Sequence, residues 1–411
     1  MASWVAVVHA GIVVVGASLA GLRAGETLRT DGYAGPVTLI GAEEHVPYDR
    51  PPLSKKLLAG EWEPDRIALR PPDAIAELGI DLRLGVPAAA LDTEGRAVVL
   101  ADGSTVPYEG LVIATGSATR RLPGQHDVSS VHELRTLDDA LALRSRIADG
   151  TARVVVIGAG FIGLEVAATA RAKGCHVTVL EGLPAPLVRG LGEEMGVLAT
   201  AAHVADGIDI RCDVTVTALA DDGVTLGDGS SVPADVIVVG IGVAPATGWL
   251  DDSGLQLRDG VVCDETLWAG VPGVYAAGDV ARWPNALYGE EMRVEHWTNA
   301  AEQGALAARN VLASLGGGEG TPYAPVPFFW SDQHRHRIQF LGRSATTGGD
   351  RVEVVVGDPA EHRFLALYGR GDRLWGALGV NAPKLVMPYR KLLADAASWD
   401  DALALSATQQ S

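Results

Sequence analysis

Residues 153–163 read RVVVIGAGFIG, a β-branched run that ends in three spaced glycines. Strands that are apolar at every position are typical of a parallel sheet covered on both faces. Gly158 allows a tight turn, Gly160 lets the backbone approach a pyrophosphate, and Gly163 lets helix and strand pack closely. The stretch therefore predicts a strand–turn–helix unit that binds a dinucleotide.

The same pattern occurs 142 residues earlier, where residues 11–21 read GIVVVGASLAG. Gly16 and Gly21 take the outer glycine positions, and Ser18, a small residue that still allows close approach, takes the middle one. Each fingerprint is followed by a helical stretch and a second strand, predicted at 22–29 and 37–40 in the first unit, and up to Lys173 and at 176–180 in the second. One such motif is a weak signal, but two βαβ units predict two nucleotide-binding domains.

Each unit continues into a hairpin and then a buried strand. The hairpin turns are Asp102-Gly103 and Asp228-Gly229, and the buried strands are predicted at 111–114 and 236–239. The glycine-rich run 315–320 reads as a linker. Beyond it, strands are predicted at 337–341, 351–356 and 364–368, and a final helix around 385–397. The predicted fold class is α/β, with two Rossmann-like domains and a C-terminal α+β domain.

Composition limits the function classes. The net charge of −18 provides no basic excess for binding nucleic acid. Cys175, Cys212 and Cys263 lie far apart without a CxxC pair, which argues against a cysteine-framework zinc site, a disulfide scaffold and a dithiol flavoenzyme. The apolar start, 1–15, lacks Lys and Arg and runs into the first glycine turn, so a buried strand explains it better than an export signal. We expect a soluble cytoplasmic protein with no membrane span and no metal.

An acidic residue at the end of the second strand of such a unit bonds a ribose hydroxyl. Glu181, 23 residues after Gly158, takes this position in the second unit. Its carboxylate would repel a 2′-phosphate and favour NADH over NADPH, although Arg189 nearby works against that preference. In the first unit the candidates are Glu43 and Glu44, of which we favour Glu43. Either acid could instead be a solvated turn residue.

Two further segments fit a flavin-binding domain. Ala114-Thr115-Gly116 ends a buried strand, where small residues let the chain pass a bound dinucleotide. Residues 274–279 form a strand that ends in Gly278-Asp279, and the Asp279 carboxylate could accept a hydrogen bond from a ribityl hydroxyl. Each alone is commonly an ordinary strand end. In this order, after two fingerprints, they indicate a flavoprotein.

Four segments carry a family resemblance. They are PYDRPPLSK at 47–55, LRTL at 134–137, FIGLEVA at 161–167 and FWSDQ at 329–333. The chain resembles, from about Gly11 into the C-terminal domain, the putidaredoxin reductase-like ferredoxin reductases that serve bacterial cytochrome P450 and ring-hydroxylating dioxygenase systems. That group belongs to the wider glutathione-reductase-like class of flavoproteins. Ser18 and Ala42 depart from positions that are often glycine and acidic in such proteins.

The resemblance implies an NADH-dependent, FAD-containing oxidoreductase. A hydride would pass from NADH to FAD, and single electrons would then pass to a [2Fe–2S] ferredoxin. The FAD-binding domain would comprise 1–118 and 247–320, the NAD-binding domain 119–246, and the C-terminal domain 321–411. The protein would be a monomer or a weak dimer.

The resemblance also implies residue roles. Lys55 and Glu165 would form an ion pair near flavin N5, and Trp330 would pack near the isoalloxazine or nicotinamide ring, although Trp330 could equally belong to a domain core. Together, fingerprints and resemblance assign FAD to Gly16, Ser18, Ala20, Gly21, Glu43, Arg50, Lys55, Ala88, Ala114, Thr115, Gly116, Arg135, Gly278, Asp279 and Trp297. They assign NADH to Gly158, Gly160, Ile162, Gly163, Glu181 and Gly242.

Two rival functions share this architecture. An NADH oxidase or peroxidase would need a redox cysteine shortly after the first unit, and residues 51–59 contain none. A redox sensor resembling apoptosis-inducing factor would use the same fold for NADH-dependent association, and fold analogy does not separate it from a reductase.

Docking raises a problem of charge. Because an acidic ferredoxin and this acidic chain repel at long range, docking needs a local basic patch. Each of the candidate patches could instead be an ordinary solvated face. They are His334-Arg335-His336-Arg337, Arg370 with Arg373, and Tyr389-Arg390-Lys391.

Overall fold

A computed structural model describes residues 10–344 and 350–409. They form two compact units. Unit 1 comprises the residues up to Asp49, Ala68–Ala118 and Ala244–Pro325, and unit 2 comprises Arg50–Ile67, Thr119–Val243 and the residues from Val326 onward. Part of the apolar N-terminal stretch, residues 1–9, lies outside the described residues. The chain passes from one unit to the other at two short strands, Ser117–Thr119 and Val243–Pro245, and also after Asp49, Ile67 and Pro325.

Unit 1 is built on a mainly parallel sheet. Strand Gly11–Val15, buried at every position, lies between Val37–Ile40 and Thr105–Ile113 and is parallel to both. Helix Leu19–Thr30 begins three residues earlier than predicted, since Leu19 and Ala20 are also buried. The strand order is Asp81–Arg83, Val37–Ile40, Gly11–Val15, Thr105–Ile113, Ala97–Leu100 and Ala88–Asp92, with Val274–Ala276 also paired to Thr105–Ile113.

The first predicted hairpin is confirmed in unit 1, where Ala97–Leu100 pairs antiparallel with Thr105–Ile113. Helix Trp297–Leu315 packs along helix Leu19–Thr30; a Cβ at Gly304 would lie 2.2 Å from the Ala20 carbonyl oxygen, so only glycine allows this approach. The smaller elements of unit 1 are Pro72–Ala76, Gly248–Leu250, Val261–Val262, Gly278–Val280, Ala281–Asn285 and Glu290–Met292.

Unit 2 contains the second predicted βαβ unit. Its parallel sheet has the order Asp209–Arg211, His176–Leu180, Arg153–Ile157, Val236–Val239 and Val131–His132. The second predicted hairpin is confirmed within a three-stranded antiparallel sheet, Val216–Ala220, Gly223–Leu226 and Ser231–Pro233. The helical elements that precede the C-terminal sheet are Leu53–Leu57, Pro64–Ile67, Gln125–Asp127, Leu137–Arg146, Phe161–Ala172, Val188–Leu191 and Glu193–Ala205.

The C-terminal part of unit 2 is a five-stranded antiparallel sheet. The three predicted strands are confirmed, and each is longer than predicted. The order is Phe328–Gln333, His336–Gly342, Arg373–Val380, Arg363–Arg370 and Asp350–Asp358. One hydrophobic core cluster contains Val154 and Leu164 as well as Phe340 and Tyr368, so this sheet shares its core with the second βαβ unit.

The single helix predicted around 385–397 is wrong. The structure has two short helices, Pro383–Val386 and Tyr389–Ala394, and a third, Trp399–Gln409. Pro388 has no amide hydrogen to continue the first helix. Ala396, with φ at +55°, then turns the chain before the last helix. A further short turn, Pro359–Glu361, precedes strand Arg363–Arg370.

The predicted fold class is confirmed: two Rossmann-like βαβ units and a C-terminal α+β region. Within residues 10–344 and 350–409, no helix combines the length and the apolar character needed to cross a membrane.

Candidate functional site

The first cradle consists of Gly16, Ser18 and Gly21, between strand Gly11–Val15 and helix Leu19–Thr30. Gly16 has φ at +118°, and a Cβ there would lie 2.1 Å from the Ala114 carbonyl oxygen. A Cβ at Gly21 would lie 1.9 Å from the Gly16 carbonyl oxygen. Ser18 is the N-cap residue, and its side chain makes no capping hydrogen bond to any described residue. The helix amides therefore remain available to a bound anion, as a pyrophosphate requires.

The second cradle consists of Gly158, Gly160 and Gly163. Gly158 has φ at +103°, and a Cβ there would lie 2.4 Å from the Gly240 carbonyl oxygen. At Gly160, by contrast, no described atom lies within 4 Å of the position a Cβ would take, so this glycine faces open space. Ile162, in the first turn of the helix, is 50% exposed. An open helix N-terminus beside an exposed apolar side chain fits a dinucleotide.

The acids beside the two cradles have different partners. The Glu181 carboxylate accepts hydrogen bonds from the amides of Ala159, at 2.6 Å, and Leu183, at 2.9 Å. Glu181 thus holds the glycine turn as well as lying at the predicted ribose position. Glu43 accepts a hydrogen bond of 2.5 Å from the Tyr48 hydroxyl. Its role as the ribose ligand of the first unit stays a prediction.

Several other predicted FAD residues lie at strand ends in unit 1. Ala114, Thr115 and Gly116 follow strand Thr105–Ile113, and the Thr115 hydroxyl donates to the Ala246 carbonyl oxygen at 2.9 Å. Gly116 has φ at +69°, a conformation that favours glycine. Ala88 opens the strand Ala88–Asp92 at the far edge of the same sheet.

Asp279 and Trp297 have fixed polar contacts within unit 1. An Asp279 carboxylate oxygen accepts a hydrogen bond of 2.8 Å from the Ser117 hydroxyl. The preceding Gly278 donates its amide to the Gln303 side chain at 2.8 Å. The Trp297 indole donates to the Asp49 carboxylate at 2.7 Å. These bonds orient the carboxylate and the ring that are predicted to lie along the ribityl chain and flavin.

Unit 2 brings together two residues that lie 110 positions apart in the sequence, Lys55 and Glu165. The Lys55 Nζ lies 2.6 Å from Glu165 Oε2. Lys55 is carried by a π-helical turn, Leu53–Leu57, a distortion often found at functional sites. Glu165 is 3% exposed in helix Phe161–Ala172. A buried carboxylate needs such pairing, because an isolated buried charge is strongly unfavourable.

Two serines that the sequence reasoning did not single out complete this pair. The Ser54 hydroxyl donates to Glu165 Oε2 at 2.5 Å, and the Ser331 hydroxyl donates to Oε1 at 2.5 Å. Each carboxylate oxygen is therefore bonded to a hydroxyl. Their positions in the sequence could have pointed to them. Ser54 precedes Lys55 and Ser331 follows Trp330, and both lie within segments that carry the family resemblance.

Arg50, Arg135 and Trp330 also belong to unit 2. The Arg50 guanidinium donates to the Arg135 carbonyl oxygen. Arg135 precedes helix Leu137–Arg146, whose N-terminus is fixed by a capping box between Thr136 and Asp139. Trp330 is half-buried in strand Phe328–Gln333, and its ring stacks on Phe328 with centroids 6.0 Å apart.

Gly242 follows strand Val236–Val239 near two cations. It has φ at +101°, and a Cβ there would lie 3.7 Å from Arg189 and 4.0 Å from Arg120. The structure thus places Arg189 beside the loop that follows the second cradle's sheet. Two guanidinium groups here could bind phosphate oxygens of a dinucleotide.

All three cysteines are free thiols. Burial raises the pKa of Cys263 to about 12 and also raises the pKa values of Cys175 and Cys212. A thiol becomes a nucleophile only as the thiolate. These thiols are therefore protonated at neutral pH and are poor nucleophiles.

The candidate basic patches differ in their exposure. Arg335 and Arg337 are exposed on the hairpin that joins the first two C-terminal strands, whereas His334 and His336 turn inward. Arg370 and Arg373 flank the Trp375 ring at 4.3 and 5.3 Å. Tyr389 is fully buried, and Lys391 pairs with Asp395 at 2.5 Å. A partner could therefore reach Arg335 and Arg337 on the hairpin, and also Arg390 and Lys391, whereas Arg370 and Arg373 are half-buried.

Comparison with known proteins places these features in a family. Residues 10–304 match the pyridine nucleotide-disulphide oxidoreductase family, and residues 328–410 match the reductase C-terminal family. The chain is 38% identical to rhodocoxin reductase of Rhodococcus erythropolis, over 93% of this chain and 89% of that protein. It is 39% identical to the ferredoxin–NAD⁺ reductase component of the anthranilate 1,2-dioxygenase system of Burkholderia cepacia, over 94% and 95% of the two chains.

A solved structure gives the same result. The crystal structure of a covalent putidaredoxin reductase–putidaredoxin complex superposes with a TM-score of 0.88 at 34% identity, covering 94% of each chain. Both cradles offer what FAD and a nicotinamide dinucleotide need: glycines where a Cβ would clash and open helix amides. The chain therefore belongs to the pyridine nucleotide-disulphide oxidoreductases, and within them to the flavin-dependent ferredoxin reductases.

Proposed function

We propose that this chain is the NADH-dependent reductase of an oxygenase system, in which it reduces a [2Fe–2S] ferredoxin that feeds a cytochrome P450 or a ring-hydroxylating dioxygenase. This assignment is supported by the names of similar proteins, which refer to rhodocoxin, to the anthranilate 1,2-dioxygenase system and to putidaredoxin. We also propose that it works in the cytoplasm, a reducing compartment that suits three free thiols.

The observation that carries the proposal is the buried pair of Lys55 and Glu165, held by Ser54 and Ser331. When bound, FAD supplies the redox chemistry, because it accepts a hydride and returns electrons singly. Lys55 and Glu165 would place a positive and a negative charge beside flavin N5, each in a fixed position. Such prearranged charges need no reorganisation during the reaction.

Each of the two cradles would bind a different cofactor. We propose that the unit 1 cradle holds FAD, with Glu43, Asp279 and Trp297 along it, and that the unit 2 cradle holds NADH. The Glu181 carboxylate would bond the adenosine ribose and repel a 2′-phosphate. Arg189 would lie on the pyrophosphate side of the loop at Gly242 and contribute to affinity for both nucleotides.

The test is stopped-flow reduction of the purified protein by NADH and by NADPH, followed by mixing with ferredoxin. We expect a yellow protein that NADH reduces faster than NADPH and that passes electrons to ferredoxin over many turnovers. Glu165→Gln should slow flavin reduction while leaving the visible spectrum of the oxidised protein intact. A colourless protein would contradict the proposal. A long-lived charge-transfer complex with dimerisation would support the redox sensor instead.

Docking is tested separately. We propose that exposed Arg335 and Arg337 attract the acidic ferredoxin, since the chain as a whole repels it. The double variant Arg335→Glu/Arg337→Glu should slow ferredoxin reduction and leave ferricyanide reduction unchanged. Arg258→Glu, an exposed arginine of unit 1 that pairs with Glu291, is the control and should change neither rate. An equal fall of both activities in the double variant would show that the hairpin does not dock ferredoxin.

A further inference from the structure

The two cradles share one backbone register. In unit 1 the Gly16 amide donates to the Ile40 carbonyl oxygen at 2.8 Å, and in unit 2 the Gly158 amide donates to the Leu180 carbonyl oxygen at 2.7 Å. Ile40 and Leu180 each end the second strand of their βαβ unit. The residue that follows each of them therefore takes the same place beside its glycine turn.

Those following residues are Gly41 in unit 1 and Glu181 in unit 2. Their amides make equivalent bonds of 2.8 Å, from Gly41 to the Arg83 carbonyl oxygen and from Glu181 to the Arg211 carbonyl oxygen. Arg83 and Arg211 each end the strand that lies beside the second strand. Unit 1 thus has a glycine at the position where unit 2 has its acid.

Unit 1 has no room for an acid at this position. Gly41 is buried, and a Cβ there would lie 2.7 Å from the Ala17 Cβ and 2.9 Å from the Leu84 side chain. Any larger side chain would overpack this contact between strand end and glycine turn. Ala42, the next residue, has no polar side-chain atom. A carboxylate for the ribose of the unit 1 ligand therefore has to come from further along the chain.

Glu43 and Glu44 come next, and only Glu43 is turned inward. Glu44 is exposed, and its Cγ packs toward Gly85, 3.2 Å from the position of a Cβ there. Glu43 is half-buried, and its carbonyl oxygen accepts a hydrogen bond of 3.0 Å from the Gly85 amide. Its carboxylate Oε2 accepts a hydrogen bond of 2.5 Å from the Tyr48 hydroxyl. Glu43 therefore has a fixed backbone and a fixed carboxylate.

Tyr48 is itself held in place. It is 6% exposed, and its backbone forms a bridge with Ala68. The carbonyl oxygen of the preceding Pro47 accepts a hydrogen bond of 2.9 Å from the Leu69 amide. A hydroxyl that donates to a carboxylate makes a charge-assisted bond, which is shorter and stronger than a neutral one. A buried, immobile phenol thus sets the orientation of Glu43.

Both units therefore immobilise one carboxylate at the same end of their sheets, by different means. In unit 2 the backbone amides of Ala159 and Leu183 hold Glu181, whereas in unit 1 the Tyr48 hydroxyl holds Glu43. A carboxylate offers about four acceptor sites on its two oxygens. The bond from Tyr48 therefore does not prevent a ribose hydroxyl from donating to Glu43.

We propose that Glu43, held by Tyr48, replaces the acid that Gly41 cannot supply and accepts a hydrogen bond from the adenosine ribose of FAD. Tyr48 is a positioning residue, since it acts through the Glu43 carboxylate. This inference rests on the proposed function, which assigns FAD to the unit 1 cradle. Loss of either side chain should weaken recognition of the adenosine half of FAD and leave recognition of the flavin half unchanged.

The first test measures FAD affinity from the rise in flavin fluorescence when the purified holoenzyme is diluted. Glu43→Gln should weaken FAD binding by roughly 10- to 100-fold, as for loss of a hydrogen bond to a charged group, and Tyr48→Phe by roughly tenfold. The double variant should bind FAD no more weakly than Glu43→Gln alone, because Tyr48 acts only through that carboxylate. Additive losses would overturn the positioning role of Tyr48.

FMN separates ribose binding from support of the fold. FMN carries the flavin and the ribityl phosphate but no adenosine. After FAD has been removed, Glu43→Gln and Tyr48→Phe should bind FMN with the affinity of the parent protein. An equal loss of FMN and FAD binding would show that the two residues only support the fold, and would overturn the inference.

Two further variants complete the test. Tyr33→Phe removes another tyrosine–glutamate hydrogen bond of unit 1, to Glu109, and should keep the parent affinity for FAD. A loss of FAD binding in Glu44→Gln, with parent-like binding in Glu43→Gln, would assign the ribose to Glu44 and overturn the inference.

The inference and the proposed function fail in different ways. Parent-like FAD binding by both Glu43→Gln and Tyr48→Phe would overturn the inference while leaving the reductase function intact. Failure of the unaltered protein to bind FAD or to reduce ferredoxin would instead overturn the proposed function.

Discussion

The two cradles follow one sequence pattern but differ in how far they are covered. In unit 1, Ala20 is 7% exposed, because helix Trp297–Leu315 packs against its backbone through Gly304. In unit 2 the equivalent residue, Ile162, is 50% exposed. Ser18 occupies the middle position of the covered cradle, and Gly160 faces open space in the other. The same motif therefore gives one site that is partly covered and one that is open.

The difference matches two kinds of ligand. A cofactor that stays bound through many turnovers benefits from burial, since burial removes more apolar surface from water. A nucleotide that must leave after each hydride transfer needs an accessible site. The acids beside the two cradles also have different partners. Glu181 accepts hydrogen bonds from backbone amides, including one in its own glycine turn, whereas Glu43 accepts one from the side chain of Tyr48.

The largest expected effect comes from the turn glycines. Gly16→Ala and Gly158→Ala both add a Cβ against backbone at a positive φ, costing roughly 3 kcal/mol or more. If the cradles divide the cofactors as proposed, Gly16→Ala should yield colourless protein, and Gly158→Ala should keep the flavin but lose NADH reduction. The visible spectrum and NADH titration measure both.

Gly160→Ala is the control for that pair, because no described atom lies near its added Cβ. It should fold with parent thermal stability and bind NADH about tenfold more weakly, since the methyl group occupies space needed by the pyrophosphate. Loss of flavin from Gly160→Ala would contradict the assignment of the open cradle to NADH.

The next largest effect is a dependence of stability on pH, which we expect from unit 2. His203 of unit 2 has a pKa of about 4 in the folded protein against 6.5 when unfolded, because burial disfavours its charge. Between these values the unfolded state binds more protons, so the free energy of unfolding falls as pH falls, by roughly 3 kcal/mol in total. Above about pH 6.5 this contribution to the pH dependence vanishes. His203→Phe should flatten that part of the profile in thermal or urea unfolding, and an unchanged slope would contradict the assignment.

A smaller effect is expected at Glu181. Glu181→Gln removes the charge that repels a 2′-phosphate, so the ratio of NADH to NADPH efficiency should fall by about tenfold, on the order of 1 kcal/mol. Glu43→Gln in the other cradle should leave that ratio unchanged. Steady-state kinetics with both nucleotides measures it. An equal change in the two variants would break the division of roles between the cradles.

The smallest effect is expected at Ile162. Its exposed side chain would be covered only when the nucleotide binds, so Ile162→Ala should weaken NADH binding by roughly fivefold, about 1 kcal/mol of lost apolar burial. Thermal stability without nucleotide should not change, because half of the side chain already faces solvent. A clear loss of stability would show that Ile162 supports the fold rather than the ligand.

Much of the fold was predictable because it depends on local pattern. Continuous apolar strands and spaced glycines predicted both βαβ units, and Asp-Gly turns predicted both hairpins. The C-terminal helix around 385–397 was mispredicted, because Pro388 and the turn at Ala396 outweigh its helical composition. The pairing of Lys55 with Glu165 came from family resemblance, since no local rule joins residues so far apart.

The sequence by itself determined the two dinucleotide fingerprints, since steric room at a glycine is a property of the residue and its immediate turn. Only the tertiary structure decided which cradle is covered, that Ser54 and Ser331 hold Glu165, and that the His203 and His334 rings meet edge to face. These contacts join segments more than a hundred residues apart. Their geometry follows from how sheets and helices pack, which residue spacing does not encode.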